Sequence, residues 1–245
     1  VEYEVIKNNI VYFKNAVPNH KEIIECIENV ENNIITKWVP WGNKYSTSFE
    51  QKDSTTELYG NGKSIHSPIF DKAGESKDYY WVYDSLYKAL SECSSIYKDI
   101  MDIDESVNPR LETPGFVVGR YDSEKSRGLH SDCNYDDLEH SYVFYLNDDY
   151  EGGELSFPEL DVIFKPEAGS VVMFKSNEVD NIHQAHISYG IKYIIPHFWR
   201  MGPSQGFIPF GTTLDQYVND AKNNITHNFY DLIRVDKKDV ASEYK

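Results

Sequence analysis

The sequence predicts a mainly β chain with flanking helices. Three observations lead there. After Pro109, short runs rich in β-branched and aromatic residues alternate with turn signals. Before Pro109, apolar residues twice follow a helical period. The apolar share of 40% against 26% charged is enough for a packed core.

The elements follow in order. Tyr3 to Phe13 reads as a strand-like opening. Pro18-Asn19-His20 then introduces a helix whose apolar positions are Ile23, Ile24, Ile27, Val30 and Ile34. Residues 40–68 are rich in Gly, Ser, Thr, Asn and Tyr and read as a long loop with room for a short hairpin. Loops of that length in compact domains are often lids or binding segments. A second amphipathic helix is expected over 78–103, with Tyr83, Leu86, Leu90, Cys93 and Tyr97 on its buried face. The expected strands are 115–121, 141–147, 154–157, 161–164, 170–174 and 191–199. Asp148-Asp149, Gly152-Gly153, Pro166 to Gly169 and Gly190 punctuate them, the pattern of an antiparallel sandwich or barrel. A further helix is expected around 214–224. The organisation is a single domain: 1–108 as helical support and loop, 109–200 as catalytic core, 201–245 as a C-terminal extension.

Charge narrows the function classes. The sum is −16, with five arginines, which disfavours nucleic acid and anionic membrane surfaces as partners. No run of 18 apolar residues is present, and the charged N-terminus has no apolar leader segment. Cys26, Cys93 and Cys133 are odd in number and widely spaced. They read as free thiols and suit a reducing cytoplasm.

The residues that carry chemistry lie in the β region. In His130-Ser131-Asp132 an imidazole and a carboxylate two residues apart share one face of a strand. His183 follows about fifty residues on, and Lys192 nine residues later. Two imidazoles and one carboxylate leave open positions on a metal, the donor set of non-haem Fe(II) oxygenases. His186 is the rival third ligand, but three residues from His183 it faces the other way on a strand. Lys192 sits among Ile191, Ile194 and Ile195. A lysine buried there needs an opposite charge, which a dicarboxylate supplies.

A longer ordered series accompanies these residues. It runs Tyr121-x8-His130-x-Asp132, Tyr145-Leu146-Asn147, Glu151-Gly152-Gly153-Glu154-Leu155-x-Phe157-Pro158, Lys165-Pro166-x2-Gly169-Ser170, His183 and Gly190-x-Lys192. The series resembles the Fe(II)/2-oxoglutarate-dependent dioxygenases, most nearly the prolyl 4-hydroxylase-like group, over 115–199, about a third of the chain. The resemblance implies a double-stranded β-helix (jelly-roll) core. It implies Fe(II) on His130, Asp132 and His183, and Lys192 on the C5 carboxylate of 2-oxoglutarate. Tyr145 would bond the same carboxylate, Tyr121 would line the pocket, and Val143 and Leu155 would form its apolar wall. O₂ is the other co-substrate, ascorbate a candidate reductant, and succinate and CO₂ the by-products. The pattern departs where the family often has Trp six residues after the basic residue, since Phe198 stands there and Trp199 follows.

The expected function is therefore hydroxylation of a peptide or protein substrate containing proline. A free amino acid or other small molecule is the alternative substrate. The carboxylate of Asp132 disfavours halogenation, which needs that position open for chloride. A non-catalytic jelly-roll binding module would have no need of His130, Asp132, His183 and Lys192 together. A two-His zinc hydrolase would want a paired glutamate base, and none is evident. Segments 40–68 and 122–129 are expected to shape the substrate entrance.

Overall fold

A computed structural model describes residues 1–29, 38–40, 61–65, 80–103, 110–111, 116–132, 138–176, 179–200 and 208–209. Two antiparallel sheets face each other, as a jelly-roll requires, and helices cover the outer face of the larger one.

The larger sheet begins with β1 (Glu2–Lys7) and β2 (Ile10–Lys14). The expected single opening strand is thus a hairpin, turned at Asn8 with φ 49°. The helix α1 (His20–Asn29) follows. A short pair, β3 (Val39–Pro40) and β4 (Asn61–Ile65), lies at the start of and within the expected long loop. Next come α2 (Tyr80–Ile100), β5 (Arg110–Leu111), β6 (Phe116–Tyr121) and β7 (Lys125–His130). Then come β8 (Leu138–Tyr145), β9 (Glu151–Gly152), β10 (Leu155–Phe157) and β11 (Val162–Phe164). The series ends with β12 (Ser170–Lys175), β13 (His183–Tyr189), β14 (Lys192–Arg200) and β15 (Ile208–Pro209). The larger sheet runs β1-β2-β12-β8-β14-β6-β4-β3, with β5 against β14 and β15 against β5. The smaller runs β11-β10-β13-β7, with β9 against β13.

Strands β7 and β13 are missing from the expected runs, although the readings of His130 and His183 presuppose a strand at each; Asp132 falls beyond the end of β7. Lys125–His130 lies in the segment assigned to the entrance, and its polar, glycine-containing sequence hides a half-exposed strand. The expected opening strand and the hairpin allowed for in the long loop appear as β1, β2, β3 and β4, which extend the larger sheet. Val30 and Ile34 of the first expected helix, the 214–224 helix and Cys133 lie outside the described residues. So does most of 40–68.

The central strands separate two cores by alternation. Tyr142, Phe144 and Leu146 point to the helix side, with Ile23 and Ile27 of α1 and Leu86, Leu90, Cys93 and Tyr97 of α2. Val143 and Tyr145 point the other way, into the space between the sheets, with Tyr121, Leu155, Phe157 and Phe174. This is the period of two of a strand buried on both faces. Leu86 is fully buried, so Leu86→Ala would cost about 2–5 kcal/mol in lost packing. Strand β14 passes through Pro196 unbroken; its pairing with β6 ends at Ile194, before the proline that lacks an N–H.

Candidate active site

His130 closes β7 and His183 opens β13, and the two are direct cross-strand partners. Their ring centroids lie 4.2 Å apart. Asp132 comes just after β7 and turns back toward them. Its Oδ1 is 3.4 Å from His130 Nε2, and its Oδ2 is 3.6 Å from His183 Nε2. Metal-ligating atoms of the three all lie within 4.8 Å of one another. They form the one such group among the described residues.

Backbone carbonyls set the tautomers. His130 Nδ1 is 2.8 Å from the Gly128 carbonyl, and His183 Nδ1 is 3.0 Å from that of Asn181. A carbonyl only accepts, so each Nδ1 carries a hydrogen and each ring turns its Nε2 toward Asp132. Asn181 is itself held by Nδ2 bonds to Asn9 Oδ1 and the Lys175 carbonyl. Burial pushes the His183 imidazole down to about 4. Burial alone would raise the Asp132 carboxyl, but the hydrogen bond with His130 and the nearby His183, Arg127 and His130 outweigh it and hold it well below the usual range. Two imidazole nitrogens and a carboxylate thus converge, with His183 neutral and Asp132 ionised at neutral pH. Such a cluster offers donors that suit a divalent iron. Phe157 and Phe174 pack on His183 with centroids at 5.6 and 4.8 Å, an apolar backing.

Lys192 opens β14 directly across from Tyr121 of β6. It is 3% exposed. Its Nζ donates to the Gly153 carbonyl at 2.7 Å and lies over the rings of Tyr145 (5.4 Å) and Tyr150 (5.3 Å). Among the described residues no carboxylate lies within ion-pair distance. Burial pushes its ammonium down to about 8, against the upward pull of the Glu154 charge. Burial, followed by the neighbouring tyrosines and Asp132, raises Tyr145 well above its usual range, so its hydroxyl is a neutral donor. Tyr121, Val143, Tyr145 and Leu155 all belong to the core between the sheets. A buried ammonium, a neutral hydroxyl and apolar walls fit a carboxylate whose charge no described residue supplies within ion-pair distance.

Three features were not foreseen. Asn147 binds the peptide groups on both sides of Lys192: Nδ2 donates to the Ile191 carbonyl at 2.7 Å, and Oδ1 accepts from Tyr193 N at 2.8 Å. Tyr150, the second ring beside Lys192, lies against Gly153 so closely that a Cβ there would meet its Cε2 at 2.6 Å. The expected turn at Gly152-Gly153 does form, with both φ values positive. Third, Ser141 donates to Asp132 Oδ2 at 2.8 Å. His186 bonds Ser156 Oγ through Nε2 at 2.8 Å and takes no part in the cluster. Asp148 and Asp149 accept from Ala168 N and Asn147 Nδ2 and so serve the turns.

Comparison with known proteins agrees with this geometry. Residues 116–200 match the family model of the 2OG-Fe(II) oxygenase superfamily. No curated protein matches the sequence. Among solved structures, the chain is similar to a viral collagen prolyl hydroxylase of Paramecium bursaria Chlorella virus-1 bound to 2OG. That match has 17% identity, 80% of this chain and 97% of that one covered, and a TM-score of 0.52. A Pseudomonas putida prolyl-4-hydroxylase matches at 18% identity over 80% and 95% of the two chains, with a TM-score of 0.52. An oxidoreductase of the 2OG-Fe(II) oxygenase family from Burkholderia pseudomallei matches at 14% identity over 78% and 84%, also with a TM-score of 0.52. Residues 116–200 thus match the 2OG-Fe(II) oxygenase model, on a fold similar to that of two solved prolyl hydroxylases.

Proposed function

We propose that the chain is an Fe(II)- and 2-oxoglutarate-dependent hydroxylase that acts on peptidyl proline. The observation that carries this is the convergence of His130, Asp132 and His183 in a core that also buries Lys192 without a carboxylate partner among the described residues. Iron and 2-oxoglutarate, when bound, supply the oxidising power that converts C–H to C–OH with O₂ and releases succinate and CO₂.

The chain's own residues hold and orient. His130, Asp132 and His183 hold the metal and leave part of it open. Lys192 pairs with the distal carboxylate of the co-substrate, and Tyr145 donates a hydrogen bond to it. Tyr121, Val143 and Leu155 wall the pocket and keep water out, which strengthens the Lys192 attraction. No side chain need act as acid or base.

Two supports bear on the substrate. The fold is similar to two prolyl hydroxylases. The charge of −16 favours approach by neutral or basic peptides. Cys26 and Cys93 as thiols suit a reducing compartment such as the cytoplasm. The test is incubation of a proline-containing peptide panel with the chain, Fe(II), 2-oxoglutarate and ascorbate. A gain of one oxygen on proline, with matching succinate, supports the reading. Succinate formation with hydroxylation only of a free amino acid would move the substrate to the small-molecule class.

A further inference from the structure

We propose that Ser141, backed by Ser176, is a positioning residue that keeps Asp132 a one-oxygen metal ligand. The inference rests on the metal reading above. Ser141 Oγ is 2.8 Å from Asp132 Oδ2, and Ser176 Oγ is 2.6 Å from Ser141 Oγ. Asp132, Ser141 and Ser176 are all buried, at 7, 0 and 2% exposure.

Chemistry settles the direction of both bonds. A ligating carboxylate is ionised and only accepts, so Ser141 donates to Oδ2. With its hydrogen so used, Ser141 accepts from Ser176, and the two hydroxyls form a chain aimed at the carboxylate. Bonds in such a chain polarise one another.

The chain makes the two oxygens of Asp132 unequal. Oδ2, 3.6 Å from His183 Nε2, also carries the Ser141 hydrogen, whereas Oδ1 faces His130 Nε2 at 3.4 Å with no such hydroxyl bond from a described residue. A carboxylate free to turn can take a metal through both oxygens. That would fill a position that the two-His, one-carboxylate set leaves open. Ser141 opposes the turn by fixing Oδ2.

The fold builds this contact deliberately. Ser141 shares its face of β8 with Val143 and Tyr145 and is paired with Phe174 of β12 and Phe198 of β14. Ser176 follows β12, and its N–H donates to the Glu139 carbonyl at 2.7 Å, which brings the two hydroxyls together. A hydroxyl buried beside phenylalanines is unfavourable without a partner. Packing alone would call for an apolar side chain here.

The test uses the full chain titrated with Co(II), whose visible absorption band reports coordination, with affinity from chelator competition. Ser141→Ala is expected to weaken Co(II) binding about tenfold or more and to shift the band, as loss of an outer-shell partner does. Ser141→Thr is expected to restore both, and Ser176→Ala to cause a smaller change of the same sign. A purely structural serine would move only the unfolding midpoint of the metal-free chain. A Ser141→Ala chain with unchanged band and affinity overturns the proposal. If that variant does not fold, unchanged binding in Ser176→Ala overturns it instead. Absence of Co(II) binding in the folded unmutated chain defeats the metal reading itself, and the proposal with it.

Discussion

Lys192→Met is expected to stabilise the chain and abolish its response to 2-oxoglutarate. Each pKa unit is worth about 1.4 kcal/mol. Burial takes the ammonium from its ordinary 10.5 to about 8. The charged form is thus disfavoured in the fold by about 3 kcal/mol at neutral pH. The sign is that of a depressed folded value: the contribution is favourable above 10.5 and is lost as pH falls through about 8. Methionine removes this cost but also leaves the Gly153 carbonyl without its 2.7 Å donor, a loss of about 1 kcal/mol. The expected net gain is about 2 kcal/mol at pH 7. It is read by urea denaturation without co-substrate. In the presence of Mn(II), 2-oxoglutarate at about a hundred times its Kd should then stabilise the unmutated chain by about 2.7 kcal/mol and the variant by almost nothing. A variant destabilised by about 2 kcal/mol or more would mean that the chain already satisfies the charge. The dicarboxylate argument would then fail.

Other outcomes follow from the same contacts. Asp132→Ala should lose metal binding and lower succinate turnover by about a hundredfold or more, whereas His186→Ala should retain metal binding; isothermal titration with Mn(II) checks both. Asn147→Leu strips the partners from the Ile191 carbonyl and Tyr193 N. It should cost about 1–3 kcal/mol and raise the KM for 2-oxoglutarate more than it lowers kcat. Burial takes His140 to about 3 and His197 to about 4. Their stabilisation is present above about pH 6.5 and lost as pH falls, by about 3 kcal/mol each at pH 4.5. His197→Leu should flatten that loss between pH 6.5 and 4.5, and an unchanged slope would refute the argument.

The His130, Asp132 and His183 cluster was legible because few residue types can do the chemistry proposed for it. His130, Asp132, His183 and Lys192 stand out by identity, and strand spacing then suggests which face they share. Ser141 and Asn147 are common residues with common reasons to occur. Their importance arises from pairing between β8, β12 and β14, which spacing along one strand does not carry. The helices were legible from their apolar stripe: the five residues named for α2 are all buried. Strand β7 was not, because Lys125, Ser126 and Arg127 sit half exposed and Gly128 and Leu129 are exposed, so no alternation survives. The β1–β2 hairpin was hidden for the opposite reason. Ile10 to Phe13 is buried on both faces and reads as one apolar run.

The double-sided burial of β8 divides its vocabulary. Residues 141, 143 and 145 address the site, and residues 142 and 144 address the helix-side core. Substitutions along this strand should therefore sort by parity, one class altering ligand behaviour and the other abundance. Shifting the strand by a single residue would exchange the two sets, so a slip would silence chemistry and folding together. Strand β8 is in effect a two-track recording in which tuning of the chemistry and maintenance of the fold can vary separately, one letter at a time.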